Sequence, residues 1–156
     1  MQPGSSGQRY PLEVAHYLFN SGKGDPAAGP RVRELAVASM GVGLWAIDPD
    51  EPHLRALAPG DLILIYLGAP DQVFIGSAEL ASAVHVWTSS EARAYPGESP
   101  SGVSLAHLEE WEPPVPMSTV LSRIGPSEKV KADFQAGVVR ITVQEYETAS
   151  AVAAGL

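Results

Sequence analysis

The side chains that could do chemistry in this chain are scattered along it. The serines include no Gly-x-Ser-x-Gly nucleophile elbow, and Gly76-Ser77 falls within a predicted strand. The chain has no cysteine, which excludes a disulfide framework, a thiol nucleophile and a cysteinyl metal cluster. We therefore expect no catalytic triad, no metal site and no cofactor. The histidines also lack the paired spacing that metal ligands need. The four are His16, His53, His85 and His107.

The tryptophans give a more specific signal. Trp45 precedes a predicted turn, and Trp87 ends a predicted strand before a polar loop, so both can present an indole at the end of an element. Two such rings can hold a flat base by stacking, which contributes about 1–3 kcal/mol per base. Each tryptophan can also be a core residue. No general base stands beside a nucleophile in the sequence, so the pattern favours binding over catalysis.

Composition limits the kind of partner. The chain has 156 residues, of which 45% are hydrophobic, and this is enough for one folded domain with a core. Ten basic and 18 acidic residues give a net charge of −8. Proteins that depend on phosphate contacts are usually basic, so a nucleic-acid role would have to rest on a local pocket. With no secretory signal and no apolar run near the ~20 residues that span a bilayer, we expect a cytoplasmic protein and no membrane partner.

Short apolar runs separated by Gly, Pro and Asp predict a domain built mainly of strands. Leu62–Leu67 is continuously apolar, so we expect it to be buried on both faces of a sheet. Gly76, inside another such run, predicts a bulge or a close approach of two backbones. Pro113, Pro114 and Pro116 are expected to end the strand before them. The predicted strands are Val14–Asn20, Val42–Ile47, Leu62–Leu67, Val73–Val86, Val103–Trp111 and Val138–Ile141.

Helical signals lie between these strands. Gly41 is expected to end a helix that follows the first strand. Thr142 and Glu145 have the spacing of a capping box, and the helix they open is expected to run through Ala154. Residues 88–102 are predicted to be a loop. The first helix has an apolar face of Val32, Leu35, Ala36 and Met40, and two more helices are predicted over Thr119–Ile124, capped by Ser118, and Glu128–Ala136, capped by Ser127.

The order of these elements predicts the architecture. Residues 1–12 are rich in Gly, Ser and Pro, and we predict a flexible N-terminus there, followed by a single domain over residues 13–156. Several short strands with a few short helices are typical of a small mixed β-barrel, which is α+β by class.

Several segments also occur in an order that is shared with one superfamily. One has Leu-x-Pro-Gly-Asp before a strand that ends in Tyr, and another has Phe-x-Gly-x-Ala-Glu. With their neighbours they resemble the EVE domains and the related YTH domains of the PUA-like superfamily, over about residues 14–150. The resemblance implies a PUA-like small mixed β-barrel flanked by short helices. The segments are His16–Ser21, Gly43–Ile47, Leu57–Tyr66, Phe74–Leu80 and Val138–Tyr146.

The resemblance implies a pocket for one extruded nucleotide base. YTH domains hold N6-methyladenosine of RNA in an aromatic cage, and EVE domains are associated with modified bases, including modified cytosines in DNA. Trp45 matches the cage tryptophan, and Trp87 is a candidate for the second wall. YTH domains commonly have Lys where this chain has Asn20, and Ser or Cys where it has Ala46, so methyladenosine specificity is not implied. The implied ligand-binding residues are Asn20, Ser21, Trp45, Ala46, Ile47, Tyr66 and Trp87.

These observations support one leading function and two alternatives. The leading one is a reader of a modified base, with modified DNA or RNA or a free modified nucleobase as its partner, and it predicts an exposed Trp45 in a concave pocket that Asn20 and Ser21 face. The second is a small-ligand or protein-interaction barrel without nucleic acid, which predicts an apolar cleft without local Lys or Arg, or a buried Trp45. The third is a nucleotide-directed enzyme, which predicts His16 or His85 hydrogen-bonded to a carboxylate in the pocket.

Overall fold

The apolar runs of the sequence form a curled, mixed β-sheet with helices on both faces. The computed structural model describes residues 14–21, 29–51, 53–68, 71–124 and 137–156. Within these ranges the strands are β1 (His16–Ser21), β2 (Leu44–Ala46), β3 (Leu62–Leu67), β4 (Val73–Leu80), β5 (His85–Val86), β6 (Ser101–Pro116) and β7 (Val138–Arg140), and the helices are α1 (Gly29–Val42), α2 (Ser89–Ala94), α3 (Met117–Arg123) and α4 (Val143–Ala153).

The strands lie in the order β2-β6-β4-β3-β1-β7, and β5 pairs with β6. β1 runs parallel to β3, whereas the other described pairs are antiparallel. At its start β6 lies between two short strands, because Gly102 is opposite Ala46 of β2 and also opposite His85 of β5. The sheet curls into a half-barrel, and the predicted α+β class is confirmed. No helix in the described ranges is long and apolar enough to cross a membrane.

Each face of the sheet has its own apolar core. Tyr17 and Phe19 of β1 pack with α1 in one cluster, while Leu18 of the same strand packs with α3 and α4 in another. This division follows from the alternation of side chains along a strand. β3 contributes to both clusters, since Ile63 is in the first and Leu64 in the second. Its continuous apolar run is therefore explained by burial on both faces, as the sequence predicted.

Asp61 explains the Pro-Gly-Asp motif. Its carboxylate is fully buried and accepts the N–H of Ala15 at 3.1 Å and the N–H of Ala58 at 3.0 Å. Gly60 precedes it with φ +95°, a conformation that favours glycine. The motif thus ties the start of β1 to the start of β3, and its role is structural.

The helix boundaries differ in part from the sequence predictions. Gly41 does not end α1, which continues to Val42 and stops before Gly43 at φ +72°. The prediction that Ser118 caps the following helix is also wrong, because α3 begins at Met117 without a side-chain cap. The capping box at α4 is confirmed, with Thr142 Oγ1 accepting the N–H of Glu145 at 3.0 Å. The predicted flexible segment 1–12 and the predicted helix 128–136 lie outside the described residues.

The structure contradicts two further predictions about strands and loops. The strand predicted over Val73–Val86 is divided, since β4 ends at Leu80 and β5 begins at His85. The predicted loop 88–102 contains α2, whose first turn is fixed by a capping box of Thr88 and Glu91.

The prolines of β6 do not end the strand. Gly76 of β4 pairs with Glu110 and Phe74 pairs with Val115, so the residues between these two positions of β6 have no partner in β4. Proline, which has no N–H to donate, is tolerated at such a register shift. Gly76 itself confirms the predicted close approach, because a Cβ there would collide with the carbonyl oxygen of Glu109.

Candidate functional site

A cavity at the carboxyl end of β1 brings aromatic and small polar residues together. Its volume is about 110 Å³. This is smaller than the enclosed cavity of about 150 Å³ that holds benzene, so a planar ring can enter it only in part. The cavity opens to solvent, which would let a group attached to such a ring extend outwards. The lining residues are Asn20, Ser21, Leu35, Ala36, Ser39, Trp45, Ala46 and Tyr95.

Elements from three parts of the chain meet at this cavity. β1 ends with Asn20 and Ser21, and the N–H of Asn20 donates to the carbonyl of Gly137 at 2.8 Å, which fixes the strand end. Because side chains alternate along a strand, Ser21 shares the face of Phe19, on the α1 side of the sheet. α1 contributes its inward residues, β2 contributes Trp45 and Ala46, and Tyr95 follows the last turn of α2.

Trp45 forms a fixed wall of the cavity. Its ring is stacked on Phe19, with the ring centroids 6.1 Å apart and the planes at 24°. Only 7% of Trp45 is exposed, so the expectation of an exposed Trp45 is wrong. The indole reaches the cavity while most of it belongs to the core, which means that this wall is in place before any ligand arrives.

Tyr95 forms a second aromatic wall and carries a hydroxyl. The hydroxyl is hydrogen-bonded to Ser39 of α1, whose side chain is buried beside it. Burial raises the pKa of Tyr95 above its usual 10.0, and the hydrogen bond with Ser39 acts in the opposite direction. Tyr95 therefore stays neutral at physiological pH and offers a hydroxyl next to an apolar ring face.

Trp87 stands behind Tyr95 and is not among the lining residues. The two ring centroids are 5.5 Å apart at 38°, and Leu44 completes this small cluster. The indole Nε1 of Trp87 is buried and has no hydrogen-bond partner among the described residues. Gly102 makes room for the ring, because a Cβ there would lie 2.7 Å from Trp87 Cζ2. Trp87 supports the wall that Tyr95 presents.

The structure gathers some of the predicted site residues and separates others. Ile47 is buried in the core cluster on the α1 side of the sheet. Tyr66 is buried in the cluster on the α3 and α4 side, where burial raises the pKa of its hydroxyl. Ile47, Tyr66 and Trp87 are therefore not lining residues of this cavity. The predicted residues that do line it are Asn20, Ser21, Trp45 and Ala46.

The sequence does not predict the other four lining residues as part of the site. Leu35 and Ala36 belong to the apolar helix face that the sequence predicts, and Ser39 lies one turn further along that helix. Tyr95 lies in the segment predicted to be a loop. The Thr88-x-x-Glu91 pattern could have indicated the short helix that carries it.

Electrostatically, the cavity is neutral, because none of its described lining residues is charged. His85 does pair with a carboxylate, with Nε2 2.8 Å from Oε1 of Glu91, but neither residue lines the cavity. Burial, followed by the Arg140 guanidinium, lowers the pKa of His16, whose ring packs against Tyr146 at 5.1 Å. Across the described ranges, no group of His, Asp and Glu side chains is placed to hold a metal ion.

Comparison with known proteins identifies the fold class. Neither a protein-family model nor a curated protein matches the sequence. Solved structures do match it over most of its length. They place the chain in the PUA-like fold, in agreement with the curled half-barrel described above.

Three of these structures illustrate the likeness. The Rpa0253 protein of Rhodopseudomonas palustris has a TM-score of 0.60 at 18% identity, covering 92% of this chain and 95% of that one. Human THYN1 protein, in complex with 5-methylcytosine containing DNA, has a TM-score of 0.61 at 13% identity over 90% of this chain and 98% of that one. A mutant ASCH protein from Zymomonas mobilis has a TM-score of 0.51 at 11% identity, over 88% and 96% of the two chains. At these identities the likeness shows the fold alone.

Proposed function

We propose that the protein is a binding module of the EVE type that reads a modified base in nucleic acid, with the base held between Trp45 and Tyr95. The observation that carries this proposal is the convergence of Asn20 and Ser21 of β1 with Trp45 and Ala46 of β2 on one open cavity. The similar fold of human THYN1, which was solved in complex with 5-methylcytosine containing DNA, supports the same ligand class.

The chemistry of the lining suits a neutral, flat ligand. Trp45 is held by its stack on Phe19, so it can receive a ring without having to be ordered first. Ser39 and Tyr95 place hydroxyls beside the aromatic surface, and hydroxyls can both donate to and accept from the edge of a base. The described lining residues carry no charge. A neutral ring can therefore bind there without leaving a buried charge unpaired, which would be costly.

A base must leave its stack to enter such a cavity. Extrusion from a duplex costs a few kcal/mol, and this cost is smallest for single-stranded or mismatched sites. We therefore propose that a single strand, or a weakened position in a duplex, is the better form of ligand. No bond is made or broken in this function, and Tyr95, which can ionise, is kept neutral by its raised pKa.

Filling the cavity tests the proposal. Ala46→Leu adds bulk to the lining on β2, whereas Ala38→Leu adds the same bulk to an exposed position of α1. The probe is a short single strand with one 5-methylcytosine, and the readout is quenching of tryptophan fluorescence. We expect Ala46→Leu to lose at least about ten-fold in affinity, which is about 1.4 kcal/mol, and Ala38→Leu to bind like the wild type.

The controls separate binding from folding. Far-UV circular dichroism and a thermal scan show whether each variant is folded. Equal binding by the two variants, or equal binding of the strand that lacks the methyl group, would contradict the proposed reader.

A second candidate function is supported by the charges and by Trp45. The chain has a net charge of −8, the described lining carries no cation, and Trp45 is buried, all of which suit a small neutral ligand without phosphates. The free nucleoside of 5-methylcytosine, titrated beside the strand, distinguishes the two functions. A strand that binds no tighter than the nucleoside would favour the small-ligand function.

A further inference from the structure

The ring of His85 lies between two hydrogen-bond acceptors. Its Nδ1 is 3.0 Å from the carbonyl oxygen of Ala83, and its Nε2 is 2.8 and 3.1 Å from the two carboxylate oxygens of Glu91. A carbonyl and a carboxylate can only accept, so both ring nitrogens must carry a proton for both bonds to form. A neutral ring keeps at most one of these bonds, and in either case the ion pair with Glu91 is lost.

Glu91 connects this ring to the wall of the cavity. Its Oε1 also accepts the N–H of Thr88 at 2.9 Å, which closes the capping box of α2. Its carbonyl oxygen accepts the N–H of Tyr95 at 2.8 Å. Trp87 makes a second connection, because its ring lies 5.8 Å from that of His85 and 5.5 Å from that of Tyr95.

We propose that His85 and Glu91 form a pH-sensitive clamp that holds Tyr95 at the cavity, so that ligand binding weakens when His85 loses its proton. This inference deepens the proposed function and rests on it where it concerns binding. The coupling between His85 and Tyr95 stands on the contacts of α2 and β5 alone.

The charges around His85 are few. Next to the His85 ring lie Glu91 of α2 and the neutral residues Ser82 and Ala83 of the preceding loop. Gly102 of β6, which is paired with His85, is also uncharged. Among the described residues, Glu91 is thus the charged group that acts on this ring.

The sign of the pH effect follows from the two partners. The carbonyl of Ala83, and then Glu91, raise the pKa of His85 above 6.5. The backbone N–H of Thr88, which outweighs the opposing desolvation, lowers the pKa of Glu91 below 4.5. A histidine whose pKa is raised by its partners stabilises the folded arrangement at low pH, and this stabilisation is lost as the pH rises through the raised pKa. The clamp is therefore complete between the lowered pKa of Glu91 and the raised pKa of His85, and it opens on the alkaline side.

NMR of the free protein tests the clamp without a ligand. Ring resonances of His85 and Tyr95 are followed from about pH 5.5 to 8.5, where a histidine titrates. We expect the two residues to share one midpoint above 6.5 in the wild type. In Glu91→Gln, which keeps a capping-box side chain but removes the charge, we expect the His85 midpoint to fall towards 6.5 and the Tyr95 response to disappear.

The binding arm uses the single strand with 5-methylcytosine at about pH 6 and about pH 8.5. Because partly exposed ion pairs contribute little, we expect the wild type to lose up to about five-fold in affinity at the higher pH, and His85→Gln to show no such loss. His107→Asn is the matched control, since His107 is exposed on β6 and this variant should keep the wild-type pH response.

The outcomes separate the two proposals. A Tyr95 ring that does not follow the His85 midpoint overturns the clamp, whether or not the strand binds. A shared midpoint without binding at any pH overturns the proposed function and the effect on binding, and leaves the coupling supported. A shared midpoint with binding that does not change with pH overturns the regulatory part of the inference.

Discussion

At the scale of single residues, Gly102 shows how little space the supports of the cavity leave. A Cβ at Gly102 would collide with the carbonyl oxygen of Trp45 and with the ring of Trp87. Both tryptophans belong to the walls or the support of the cavity, so a methyl group here acts on the site without entering it. Gly41 in α1 is the opposite case, because a Cβ there meets nothing within 4 Å.

These two glycines give a matched pair of variants. We expect Gly102→Ala to destabilise the fold by about 1–3 kcal/mol through overpacking. We expect Gly41→Ala to stabilise it by up to about 1 kcal/mol, since alanine is the better helix residue. Urea denaturation followed by circular dichroism measures both. Equal stability of the two variants would show that both the Trp87 ring and the backbone of β2 at Trp45 can shift away from Gly102 at no cost.

The sequence identified part of the cavity at this scale, and physical reasons explain the rest. The resemblance identified Trp45, but the sequence could not decide between an exposed and a buried ring, because its stack on Phe19 is a contact between β1 and β2 that local patterns do not contain. Tyr66 is separated from the cavity by the pleat, since neighbouring residues of β3 point to opposite faces. Tyr95 is not predicted because its place depends on α2, a short helix in a segment whose composition predicts a loop.

At the scale of elements, strong local signals predicted well and signals that depend on pairing did not. β3 and α4 were predicted because a continuous apolar run and a capping box are local features. The continuation of β6 across Pro113 and Pro114 depends on a register shift against β4, which no local pattern reports. The division of the strand predicted over Val73–Val86 likewise depends on where β6 pairs with β4 and where it pairs with β5.

The two helix starts on the α3 and α4 side of the sheet give a prediction about elements. Thr142→Ala removes a hydroxyl that accepts the N–H of Glu145, and we expect it to cost about 1 kcal/mol. Ser118→Ala removes an exposed hydroxyl that caps nothing, and we expect a change within about 0.5 kcal/mol. Thermal unfolding of both variants measures the difference. A larger loss for Ser118→Ala would mean that this serine supports α3 after all.

At the scale of the whole molecule, the charge predicts how binding depends on salt. Each phosphate contact with a single strand contributes a slope of about −0.7 to log K against log salt concentration. The chain carries a net charge of −8 and the described lining has no cation, so we expect a slope no steeper than about −1 for the strand with 5-methylcytosine. Titration at several salt concentrations measures it. A slope of several units would contradict a site that relies on the base alone.

The position of β1 in the sheet also determines when its two edges can be paired. β1 lies between β3 and β7, pairing His16 with Leu62 on one side and Tyr17 with Arg140 on the other. During synthesis, at about 5–20 residues per second, β1 leaves the ribosome before either partner. Gly137, which accepts the N–H of Asn20, emerges directly before β7. The backbone edge of β1 that faces β7 therefore stays unpaired on the nascent chain until residues 137–140 have emerged.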